Sequence, residues 1–118
     1  MNGAELKSTL DVLGLTPVWF AERCGATRRS VIRWCDGESR VPEHAVLELK
    51  KIVAHTEAVA DRLREASSGG VVLTYRTDPE FWRDVLSAEF PAVWHRMIVG
   101  RVAADLGLTV DYVKGVQR

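Results

Sequence analysis

TPVWFAERCGATRRSVIRWCDG, residues Thr16 to Gly37, reads as two short helices joined by a tight turn. Thr16 is an N-cap residue, and Pro17 suits the first helical position because its missing N–H would have had no partner there. Phe20 and Cys24 are four apart and share a face, with Ala21 beside them, small enough for a second helix to approach closely. Gly25 falls where the chain must turn, and a left-handed backbone is cheapest for glycine. Thr27 then caps a second helix, Val31 and Trp34 point inward at a spacing of three, and Gly37 ends it. This leaves Arg28, Arg29, Ser30 and Arg33 on the outer face or at the helix start. A helix-turn-helix unit can lay its second helix in the DNA major groove. Arginine presents a planar fork of donors that matches the O6 and N7 edge of guanine. Four arginines and no acid lie between Arg23 and Arg33. A solvated basic helix face is the plain alternative. Agreement among the buried positions, the turn glycine and the outward arginines favours DNA.

From Ala21 to Gly37 the pattern A-x-x-C-G-A-T-x-x-S-V-x-x-W-x-x-G resembles the phage Cro/CI-type repressors, also called the XRE family. That resemblance implies an all-helical DNA-binding domain, usually a dimer on operator DNA. It implies base reading by Arg28, Arg29 and Arg33 early on the second motif helix, with Ser30 as a minor contributor. It places phosphate contacts at Thr16 and Pro17, and at Ser39 and Arg40 after the second helix; Thr27 is counted with them. Two positions depart from the pattern. Pro17 replaces a polar residue that in relatives braces a reader or a phosphate, and Cys35 stands where relatives often carry an acid. The whole chain also resembles small actinobacterial and phage proteins in which such a domain precedes a T-Y-R segment and a P-A-x-W-H-R segment. These are Thr74 to Arg76 and Pro91 to Arg96 here. That second likeness implies no activity.

A chain of 118 residues fits one domain or two small units. Its 47% apolar content is that of an ordinary globular protein. No apolar run is long enough to span a membrane and no signal peptide is read, so a cytoplasmic location is expected. The formal net charge of zero argues against a non-specific DNA coater and suits a specific binder with basic charge on one surface. Cys24 and Cys35 are expected as reduced, buried thiols.

Capping and periodicity supply the other elements. Ala4 to Leu13 carries Leu6, Leu10 and Leu13 on one face and ends at Gly14. Pro42 opens a long helix to about Ala66, followed by Ser67, Ser68, Gly69 and Gly70 as a flexible break. Along it Ala45, Leu49, Ile52, Thr56, Val59 and Leu63 form a heptad-like seam. The seam either pairs with a second subunit or packs on the chain's own second half, the latter being favoured. Val71–Tyr75 reads as a strand. Asp78-Pro79-Glu80 is a helix start with Asp78 as cap, and Phe81, Trp82 and Val85 form its apolar side. Pro91 opens a last helix with a stripe of Trp94, Ile98, Val102 and Leu106, stopped by Gly107. Leu108–Val113 alternates as a strand with one buried face would. The fold class expected is mainly α: a helix-turn-helix bundle with a long linking helix over residues 1–66, then a strand-helix-helix-strand α+β unit over residues 71–118. Two strands alone are marginal, so they should pair, lean on the helices or extend across a dimer.

No catalytic constellation is read: there is no phosphate-binding glycine loop, nucleophile elbow or H-E-x-x-H. Cys24, Cys35, His44 and His55 are too irregularly spaced for zinc, and no metal or cofactor is expected. Trp94 reads as core, with His95 and Arg96 outside. Phe81, Trp82, Phe90 and Trp94 fit a packed core better than a base-stacking platform. The partners expected are double-stranded DNA and a second copy of the chain, with no membrane. A protein partner could bind through residues 71–118. An antitoxin-like or host-factor-binding module, using the helix-turn-helix as scaffold, is the alternative.

Overall fold

Asn2 opens the first helix through a reciprocal cap. Its side-chain oxygen accepts from the Glu5 N–H at 2.8 Å, and the Glu5 carboxylate accepts from the Asn2 N–H at 2.9 Å. The computed structural model describes residues 1–67, 69–85 and 89–114. Ser68 of the expected flexible break lies outside these, as does the end of the chain from 115 to 118. The architecture is mainly helical with one small sheet, and contacts divide it into two units, 1–55 and 56–118.

The first unit holds α1 (Gly3–Leu13), α2 (Pro17–Cys24), α3 (Arg28–Asp36) and the start of α4 (Glu43–Ala66). Leu6, Leu10, Phe20, Val31, Ala45, Leu49 and Ile52 are fully or almost fully buried, with Ala21, Trp34 and Val41 close behind. Leu15, between α1 and α2, joins them, although no sequence periodicity singled it out. Both α1 and α2 pack on α3. At Gly3 a Cβ would lie 2.6 Å from the Cys35 carbonyl oxygen and closer still to that of Trp34. Only glycine therefore lets the start of α1 meet the backbone at the end of α3. The expected start at Ala4 missed both this contact and the Asn2 cap.

The second unit takes the rest of α4 and adds β1 (Val71–Thr74), α5 (Asp78–Asp84), α6 (Ala92–Leu106) and β2 (Thr109–Tyr112). The division falls inside α4, whereas the glycine-rich stretch after it had marked the sequence boundary. The seam on α4 is accordingly shared out. Ala45, Leu49 and Ile52 are buried in the first unit and Thr56 in the second, where Ala60 is fully buried and Val59 and Leu63 only half so. The strands pair in parallel, Val71 with Thr109 through Thr74 with Tyr112. Gly70 is drawn into this pairing: its carbonyl accepts from the Thr109 N–H at 2.9 Å and the Thr109 hydroxyl at 3.0 Å.

Several expectations are corrected here. β2 buries neither face; Val110 is 48% exposed and Tyr112 41%. Leu106 is exposed at the end of α6, whose buried face instead includes Ala92, Val99 and Ala103 with Trp94, Ile98 and Val102. On α5 only Phe81 is buried, and Trp82 and Val85 are exposed. The α5 cap is Thr77 rather than Asp78: Thr77 Oγ1 accepts from the Glu80 N–H and donates to its carboxylate. Thr77-x-x-Glu80 is the capping-box spacing and held this signal. The Asp78 carboxylate instead accepts from the Ala92 N–H at 2.6 Å, joining α5 to the start of α6.

Candidate nucleic-acid interface

α2 ends at Gly25 with φ of 64°, and α3 begins after the Thr27 cap, so a three-residue turn joins two helices in contact. A Cβ at Gly25 would meet no atom, so what selects glycine is the positive φ and not crowding. Thr16 Oγ1 accepts from the Trp19 N–H at 3.1 Å and fixes the start of α2. Val31 is fully buried and Trp34 nearly so, with the His44 ring edge-on to the Trp34 ring at 6.3 Å.

With those two residues inward, Arg29, Ile32, Arg33 and Asp36 fall at i, i+3, i+4 and i+7 and form one outward stripe, with Arg28 beside it. Arg28, Arg29 and Arg33 are exposed, and together with Ile32, Asp36 and Glu38 they line a shallow depression. Among the described residues no hydrogen bond or ion pair engages these three guanidinium groups. Arg23 differs: it lies over the Trp19 ring at 4.9 Å and reaches the Glu48 carboxylate at 3.7 Å. The four-arginine run is thus divided into one inward brace and three outward cations. The sequence reading passed over Ile32 and Asp36, although their spacing from Arg29 placed them on the same stripe.

The remaining named residues lie around this face. Ser30 is half-buried, and its hydroxyl accepts from Thr27 Oγ1 at 3.0 Å. The same Thr27 oxygen accepts from the Ser30 N–H, so both side chains are engaged in the cap. Pro17 is half-buried at the start of α2, and Ser39 and Arg40 are exposed between α3 and α4.

Neither cysteine is as buried as expected; both are half-buried and free. Burial, with Glu48 nearby, pushes the Cys24 thiol up to about 11, and burial raises that of Cys35. Both therefore stay protonated at neutral pH, the wrong state for a thiolate nucleophile or metal ligand. Among the described residues no three His, Cys, Asp or Glu side chains gather as a metal site.

In the second unit the two short segments singled out by resemblance come together. His95 Nδ1 lies 2.8 Å from the Thr74 hydroxyl, and its ring packs on Tyr75 and Phe81. Arg96 donates to the Tyr75 and Arg76 carbonyls at 2.8 and 3.0 Å. The expectation of His95 and Arg96 outside is therefore corrected; both are half-buried against the end of β1. Burial pushes the His95 imidazole down to about 4, so it is neutral at physiological pH. Phe81, Phe90 and Trp94 are buried, with the last two rings stacked at 4.1 Å. Trp82 is exposed, and its indole N–H donates to the Phe90 carbonyl.

No protein-family model matches the chain, and no curated protein matches its sequence significantly. No helix among the described residues is long and apolar enough to cross a membrane.

Proposed function

We propose that this chain is a sequence-specific DNA-binding transcriptional regulator of the phage Cro/CI type, repressor-like, acting in the cytoplasm. The observation that carries this reading is the outward stripe of α3, where Arg28, Arg29 and Arg33 are exposed and, among the described residues, without a hydrogen-bond or ion-pair partner. An arginine already paired with a carboxylate would have to give up that partner to bind a base. These three need only shed water. α3 enters the major groove, the three arginines read bases, and Ser30 contributes through its half-buried hydroxyl. Thr16, Pro17, Thr27, Ser39 and Arg40 position the backbone, with Arg40 the one formal charge among them.

A single reading helix covers only a few base pairs, so a second copy is part of the proposal. The second unit supports it. Parallel sheets are almost always covered on both faces, yet on this two-stranded one Val71 and Leu73 are 46% and 49% exposed on one face, and on the other, where Val72 and Thr74 are buried, Val110 and Tyr112 are 48% and 41% exposed. Sedimentation at micromolar concentration should show a dimer, alone or on DNA. A monomer in both states would leave this surface to a different protein partner, as in the interaction-module alternative.

Selection of bound duplexes from a random pool at two salt concentrations tests the central reading. Arg28→Ala and Arg33→Ala should each cost about 1–3 kcal/mol on the selected site and relax base preference there. Arg40→Ala should weaken all sequences alike and flatten the salt dependence. A pool that never enriches a sequence, or equal losses on selected and random DNA for every variant, would sink the proposal.

A further inference from the structure

We propose that Ile32 is a specificity-determining residue that reads the C5-methyl group of a thymine beside the bases contacted by the arginines. This inference rests on the DNA-binding reading above. Ile32 is 36% exposed at the centre of the charged stripe, one turn beyond Arg28 and Arg29, beside Arg33 and one turn before Asp36. Its neighbours in the depression are four charged groups besides Arg28, namely Arg29, Arg33, Asp36 and Glu38. A β-branched apolar residue there gains nothing from helix propensity, since straight-chain polar residues are better helix formers. The residues α3 gives to the first unit's core are Val31 and Trp34, on its other side, so core packing does not select Ile32 either.

Major-groove chemistry supplies the missing partner. Every base edge there presents donors and acceptors, except that thymine adds one apolar group, its 5-methyl. An isoleucine between two arginines meets that methyl while the guanidinium forks take guanine O6 and N7. The preferred site then carries a thymine within one or two base pairs of a guanine.

The test needs no protein variant to begin. In the duplex selected by the parent chain, each thymine is replaced in turn by deoxyuridine, which removes the methyl and leaves the hydrogen-bonding edge intact. One replacement should weaken binding about fourfold, the worth of one buried methyl. Ile32→Ala should bind the thymine and uracil duplexes equally, and Arg33→Ala should keep the difference between them. Uniform tolerance of deoxyuridine, a selected site without thymine, or an Ile32→Ala protein that still distinguishes the two would each overturn the inference while leaving the arginine reading in place. A chain that selects no sequence overturns both.

Discussion

The two units of this molecule are stabilised by different means. In the first, polar groups act locally: Asn2, Thr16 and Thr27 each cap a helix through the N–H three residues on, and glycines at 14, 25 and 37 close the same helices. Its buried side chains are apolar throughout, from Leu6 to Ile52. In the second, apart from the local Thr77 cap on α5, polar groups join distant segments. The buried Trp94 indole donates to Thr56 at 3.0 Å, His95 meets Thr74, Asp78 accepts from Ala92, and Arg96 holds the end of β1. Even the start of α6 takes its side-chain partner from afar, since its own N-cap residue, Pro91, makes no side-chain cap bond. A core of apolar side chains tolerates small losses one at a time, whereas a half-satisfied polar network is worse than none. The first unit turns the α3 arginines outward; the second uses its polar groups to join its own segments.

The contrast can be broken most severely at Gly3, where the backbone of α3 leaves no room for a Cβ. Gly3→Val should destabilise by about 3 kcal/mol through overpacking against backbone that cannot step aside. A thermal melt that overlays the parent would mean that α1 and α3 do not meet as described.

Acid should test the second unit next. Folded His95 stays neutral down to about pH 4, while the unfolded side chain takes up its proton near 6.5. Between these values the unfolded chain binds more protons, so stability present above pH 6.5 is lost as the pH falls toward 4. Allowing for partial exposure of the ring, the loss between pH 7 and 4.5 is about 2 kcal/mol. Urea midpoints should show it, and His95→Gln should flatten the slope. An unchanged slope in that variant would assign the acid sensitivity elsewhere.

The smallest effect concerns the buried Trp94–Thr56 bond. Thr56→Val keeps the shape but removes the acceptor from a buried indole N–H, at a cost of about 1–2 kcal/mol. Trp94→Phe in the Thr56→Val background should recover part of that loss relative to the sum of the single changes. Strict additivity would show that the bond contributes nothing beyond packing.

The turn at Gly25, the Thr16 and Thr27 caps and the inward Val31 and Trp34 were legible in the sequence. Each is a relation over three or four residues, and helix geometry alone enforces it. The outward side of α3 followed by elimination, although Ile32 and Asp36 on it were overlooked in favour of the arginines. The strand at 71–74 was also visible as a β-branched and aromatic run, and that at 109–112 through its alternation, though the buried face this implied is absent. Their parallel register, the exposure of β2 and the division of α4 between two units were not. Nor were the pairings of Thr74 with His95, Asp78 with Ala92 and Thr56 with Trp94, which are 21, 14 and 38 residues apart. No periodicity spans such distances: a threonine carries the same hydroxyl whether it caps its own helix, as Thr27 does, or meets a histidine from another element. Local sequence determined where helices start and stop and which sides turn inward. The choice of distant partner was left to the packed chain, where each desolvated polar group must find whichever complementary group the core brings within reach.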